Sequence, residues 1–140
     1  MKRIPEGQTP DEVADLIKDV IKDKVVCDVG CGGGAFMMAL TRYAKKVIGI
    51  EEEEEWADYA ASRGFDTYCH DAFWHPLPEA DVYYIWNKAE MGIFLKAKYE
   101  GTKGTFILGM SERPSTKKFL EELNAEVREV DGFKVYITSL

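Results

Sequence analysis

Apolar residues recur along the chain in two rhythms, one helical and one strand-like, and the rhythm changes at turn-forming residues. Val13, Leu16, Ile17, Val20 and Ile21 fall at helical spacing behind Thr9-Pro10-Asp11-Glu12. That tetrapeptide reads as a helix start, with Thr9 as cap, Pro10 at the first helical position and Glu12 completing a capping box. Residues 24–29 form a short apolar run that ends at glycines, the pattern of a buried strand. A helix over 35–44 and a second strand over 46–50 follow. A third helix over 52–63 is closed by Gly64. Next come a strand over 66–70, a loop over 71–80 with Pro76 and Pro78, and a strand over 81–86 rich in Val, Tyr and Ile. The remainder reads as a helix over 89–99, a strand over 105–110 and a helix over 114–123. Two last strands, 126–130 and 133–140, are joined by Asp131-Gly132, a two-residue hairpin signal.

Strands alternating with helices imply right-handed crossovers and a parallel sheet covered on both faces. The expected fold is α/β: a Rossmann-like, doubly wound sheet of seven strands, mostly parallel, with an antiparallel C-terminal strand. The chain has 140 residues and neither repeats nor low-complexity linkers, which predicts one minimal domain over 1–140.

No apolar run approaches the length of a membrane span, and MKRIPEGQTP lacks the apolar stretch of a signal peptide. The expectation is a soluble, cytoplasmic protein without a membrane partner. A formal net charge of −7 argues against nucleic acid as a partner on its own, because such binding rests on Lys and Arg neutralising phosphates. It favours basic partners instead. Cys27, Cys31 and Cys69 lie in apolar context and read as reduced, buried thiols. They and His70 and His75 lack the CxxC or HxxxH spacing of a metal site, so none is expected.

The candidate chemistry is concentrated where the first strand meets the first crossover helix. In such sheets ligands bind beyond the carboxyl ends of the strands, where the strand order reverses. Glycines there allow positive φ and close approach of the backbone to a ligand. Residues 30–35 read G-C-G-G-G-A, which also fits the dinucleotide pattern G-x-G-x-x-A. Asp28 separates the two readings. A dinucleotide-binding strand normally keeps an apolar side chain two residues before the first glycine, whereas here a carboxylate stands there.

Asp28-Val29-Gly30-Cys31-Gly32-Gly33-Gly34 resembles the D-x-G-x-G-x-G loop of the class I S-adenosylmethionine-dependent methyltransferases. Glu51, ending VIGIE, matches the family's ribose-binding acid, and Asp71, in CHDAF, matches the residue that holds the adenine amine. The resemblance covers roughly residues 9–140 and includes the final antiparallel hairpin. It implies S-adenosylmethionine as cofactor and S-adenosylhomocysteine as product. Asp28 would face the methionine ammonium, and the N–H groups of 30–34 its carboxylate. Glu51 would accept the ribose hydroxyls, Asp71 the adenine amine, and the Ala72 N–H would donate to the ring. The implied cofactor set is Asp28, Gly30, Cys31, Gly32, Gly34, Glu51, Glu52, Asp71, Ala72 and Trp86. Phe73 or Trp74 would cover the adenine, or pack in the core. The chain departs from the family at Glu52, where an apolar residue often packs on adenine, and at Gly33, where an acid is usual.

TPDEVADLI, ADVYYIWNKAEM and GTFILGM resemble the small stand-alone protein-lysine methyltransferases of archaea. After the fourth strand the chain reads Ile85-Trp86-Asn87-Lys88-Ala89-Glu90, without the Asn/Asp-Pro-Pro-aromatic motif of base and glutamine methylation. Asn87 is the candidate catalytic residue, as an orienting group; a cap or turn role competes. Tyr83, Tyr84 or Trp86 would line an acceptor slot; for Tyr83, Tyr84 and Ile85 packing in the strand competes. A domain without a lid suits a protein or other large acceptor, or a homo-oligomer. The alternatives are a small-molecule or RNA-base methyltransferase and a non-catalytic cofactor-binding subunit.

Overall fold

The protein is described by a computed structural model that covers residues 9–86, 90–109 and 114–140. Two short helices, α1 (Glu12–Leu16) and α2 (Lys18–Ile21), share one apolar stripe in which Val13, Ala14, Ile17 and Ile21 are fully buried. The sequence predicts one helix here, but Ile17 interrupts it with φ of −109° and ψ of 12°. Thr9 does not cap. Asp11 takes the N-cap position without a side-chain bond, and the Thr9 hydroxyl lies 3.1 Å from the hydroxyl of Tyr84. A buried phenol needs a hydrogen-bond partner, and Thr9 supplies it.

The remaining elements are β1 (Val25–Val29), α3 (Ala35–Leu40), β2 (Lys46–Ile50), α4 (Glu54–Ser62), β3 (Asp66–Tyr68), β4 (Val82–Ile85), α5 (Glu90–Glu100), β5 (Thr105–Gly109), α6 (Pro114–Glu122), β6 (Glu126–Val130) and β7 (Phe133–Ser139). They form a seven-stranded sheet in the order β3-β2-β1-β4-β5-β7-β6. Only β7 opposes its neighbours, pairing antiparallel with β5 and β6. Asp131 and Gly132 have φ of 49° and 79°, the twist that a two-residue hairpin between right-twisted strands demands. Gly64, with φ of 93°, ends α4 as expected, and the Phe65 N–H returns to the Ala60 carbonyl.

Alternation along β1 feeds two cores. Val26 joins Val13, Ile17, Met37 and Tyr84 on the face covered by α1 and α3. Cys27 and Val29 join Phe94, Phe106 and Leu120 on the face covered by α5 and α6. Asp28 follows the parity of Val26. Among the described residues no helix is long and apolar enough to cross a membrane.

The α3 face leaves no space at Gly49 on β2. A Cβ there would stand 2.7 Å from Met37 Sδ and 2.8 Å from Cys31 Sγ. Gly49→Val is therefore expected to destabilise the fold by about 1–3 kcal/mol through overpacking, read as a lower urea midpoint at unchanged slope.

Candidate functional site

The strand order reverses between β1 and β4, so a crevice opens beyond their carboxyl ends. The loop after β1 turns there through three left-handed glycines: Gly30, Gly32 and Gly34, with φ of 82°, 56° and 91°. The loop folds onto the end of β2. The N–H groups of Gly30 and Cys31 donate to the Ile50 carbonyl at 2.8 and 3.0 Å, and the Gly34 N–H donates to the Cys31 carbonyl at 3.1 Å. The Gly32 N–H donates to Glu51 Oε1 at 3.0 Å. Amides expected to await a carboxylate are thus mostly engaged already; among the described residues, the Gly33 N–H alone in this loop lacks a partner.

Gly33 has a local cause. A Cβ at this position would lie 2.8 Å from the Tyr59 ring and 3.1 Å from Trp56. Tyr59 fills the space that an acidic side chain would need. Arg63, stacked over Tyr59 at 5.5 Å, donates to the Gly33 carbonyl at 3.2 Å and so holds the loop from outside.

Asp28 is 3 % exposed at the end of β1. It pairs in register with Gly49 on one side and Tyr84 on the other. Among the described residues none donates a hydrogen bond to its carboxyl. Burial, and then the charge of Glu51, raise its pKa to about 7. An isolated buried carboxylate is costly unless a cation or donor arrives.

Glu51 sits just beyond β2. Its Oε1 holds Gly32 and its Oε2 accepts from the Glu53 N–H at 2.9 Å. That second bond keeps Glu53 extended as the N-cap of α4, so the helix starts two residues later than predicted. Burial raises the Glu51 pKa, against the two backbone donors that lower it.

A cleft of about 120 Å³ is lined by Gly30, Ile50, Glu51, Glu52, His70, Asp71 and Ala72. Asp71 is shaped by its own turn: Oδ1 accepts from the Phe73 N–H at 2.9 Å, and its carbonyl accepts from Trp74 and His75. Sequence reasoning placed Gly30, Glu51, Glu52, Asp71 and Ala72 at this site but not Ile50 or His70. Their positions beside Glu51 and Asp71, at the ends of β2 and β3, were the available signal.

Residues 27–89 match the family model described as a methyltransferase domain. The fold agrees with solved structures at low identity. An RNA methyltransferase from Salinibacter ruber, in complex with S-adenosyl-L-homocysteine, shares 18% identity at a TM-score of 0.69, over 94% of this chain and 92% of that one. An S-adenosylmethionine-dependent O-methyltransferase from Thermotoga maritima shares 18% at 0.73, over 97% and 68%. Precorrin 8w decarboxylase from Methanobacterium thermoautotrophicum shares 20% at 0.69, over 100% and 96%. No curated protein matches the sequence.

The chain thus carries a methyltransferase-domain match over residues 27–89, on a fold shared with methyltransferases of known structure.

The other residues predicted for the cofactor are not among those that line the cleft. Cys31 points inward against Gly49, its thiol driven far above the ordinary range by burial, so only its backbone faces the loop. Gly34 caps α3 and abuts Phe65. Trp86 is half-buried, edge-on to Phe133 at 5.6 Å, and does not line the cleft. Tyr83 and Tyr84 are core residues, 2 % and 1 % exposed; the Tyr83 hydroxyl donates to the Pro78 carbonyl at 2.6 Å. Phe73 turns toward Gly92 of α5, while Trp74 is 74 % exposed. Asn87 lies outside the described residues. Among the described residues, no three His, Cys, Asp or Glu side chains converge as a metal would require.

Proposed function

We propose that this protein is a methyltransferase that takes its methyl group from S-adenosylmethionine and passes it to an amine, the side chain of a lysine on protein. The observation that carries the donor is Asp28, a buried carboxylate without a partner among the described residues, at the turn of a glycine loop. It receives the methionine ammonium. Glu51 keeps its loop bonds and offers its remaining lone pairs to the ribose hydroxyls. Asp71 accepts from the adenine amine and the Ala72 N–H donates to the ring. When bound, S-adenosylmethionine supplies an electrophilic methyl on a sulfonium. The Salinibacter ruber neighbour of the same fold, solved with S-adenosyl-L-homocysteine, supports this donor.

The acceptor reading rests on charge. Glu51 and Glu52 line the cleft, Glu53, Glu54 and Glu55 follow them, and the chain carries −7 overall. That field attracts a cationic side chain and repels a phosphate backbone. The lysine must lose its proton before transfer, and with a pKa of about 10.4 only roughly one in 2,500 is neutral at pH 7. Catalysis then comes chiefly from orienting the amine along the S–CH₃ axis, with Asn87 as the orienting group.

Two results are expected. Isotope-labelled S-adenosylmethionine incubated with cell extract should place label in protein; label in RNA or small molecules, or none, would replace the acceptor reading. At saturating cofactor, kcat/KM for the acceptor should rise nearly tenfold per pH unit between about 7 and 9. Asn87→Ala should lower the rate without changing that slope. A limb near pH 6.5 that vanishes in His75→Ala would instead reveal a histidine base.

A further inference from the structure

Among the side chains of the cleft, Glu51, Glu52 and Asp71 are carboxylates and Ile50 and Ala72 are apolar; His70 alone carries an N–H donor. Carboxylates satisfy an amine and hydroxyls, but the ring nitrogens of adenine only accept. They need donors. Among the described residues, neither ring nitrogen of His70 has a hydrogen-bond partner, although the ring itself is held. It lies nearly parallel to Tyr68, at 7° and 6.1 Å between centroids, and to His75, at 19° and 4.5 Å. His75 is fixed in turn: its N–H donates to the Asp71 carbonyl at 3.1 Å, and its Nδ1 lies 3.2 Å from the same oxygen. Tyr68 is anchored in β3. The imidazole is exposed, stacks on His75 and leaves its ring nitrogens free for a ligand. Stacking on His75 orders the ring in part before a ligand arrives, which lowers the cost of ordering on binding.

We propose that His70 is a cofactor-binding residue that selects adenine, its imidazole N–H donating to one ring nitrogen while the Ala72 N–H serves another. The proposal rests on the S-adenosylmethionine reading of the cleft. It also accounts for the absence of the apolar cover at Glu52: orientation of the base comes from a second directed hydrogen bond rather than from packing.

The test is calorimetry with S-adenosylhomocysteine and with three deaza analogues, each having one adenine ring nitrogen replaced by C–H. His70→Phe keeps a ring in the stack but removes the donor, and should weaken S-adenosylhomocysteine about tenfold. His70→Gln restores a donor and should recover part of that loss. One analogue should lose about tenfold on the wild-type protein and less than twofold on His70→Phe. The analogue lacking the nitrogen served by Ala72 should lose affinity equally on both. Melting temperature without ligand checks that each variant folds. Wild-type binding that His70→Phe leaves within twofold, or deaza losses identical in the two proteins, overturns the role of His70 alone. A wild-type protein that does not bind S-adenosylhomocysteine overturns the cofactor reading with it.

Discussion

Ligand-free protein is expected to become more stable as pH falls from 8 to 5, and Asp28 to be a main source of the gain. Its pKa rises from 3.8 to about 7, first through burial and then through the charge of Glu51. Between those values the folded state holds more protons than the unfolded state, so acid favours folding. The penalty for the charge is absent below about 3.8, grows through the window and is complete above about 7. Glu51, also raised, acts in the same direction. Asp19, lowered mainly by its hydrogen bond from Arg128, acts in the opposite direction at lower pH. Asp28→Asn isolates the effect. Two pH units of titration at roughly 1.4 kcal/mol each predict that the variant gains up to about 3 kcal/mol on wild type between pH 5 and 8. Urea unfolding at the two pH values measures this. A constant difference would mean that the carboxylate is already solvated or paired.

Glu51→Ala is expected to weaken S-adenosylhomocysteine binding by about 3–6 kcal/mol, since two hydroxyl bonds to a charged acceptor are worth about 1.5–3 kcal/mol each. The same carboxylate ties Gly32 to the end of β2 and Glu53 to the start of α4, so its loss also loosens the loop. Glu51→Gln separates these roles. Its carbonyl still accepts from Gly32, but the charge and one acceptor are gone, so it should hold the loop and bind with intermediate affinity. Calorimetry and the ligand-free melting temperature together report both effects. Affinity unchanged in Glu51→Ala would remove the ribose from this residue.

The order of elements, the hairpin and the carboxylate-glycine motif were legible because each rests on local chemistry: alternation, Asp131-Gly132, and glycines at turns. What was not legible depended on distant partners. Thr9 looks like a cap until Tyr84, 75 positions away, claims its hydroxyl. Glu53 looks helical until the Glu51 carboxylate holds it extended. Gly33 stands where the resemblance expects an acid, and the reason is Tyr59, which fills the space. Trp86, expected at the cofactor, lies edge-on to Phe133, a contact that only the folded chain creates.

The most direct test of the central claim, that Asp28 receives the cofactor's ammonium, is the pH dependence of S-adenosylhomocysteine affinity measured by calorimetry from pH 5.5 to 8. Binding requires the carboxylate, so affinity should rise nearly tenfold per pH unit up to about 7 and then level off. Asp28→Asn should bind more weakly, with that rise gone. Affinity that is flat or falls with rising pH, or tight binding of NADH with none of S-adenosylhomocysteine, would contradict it.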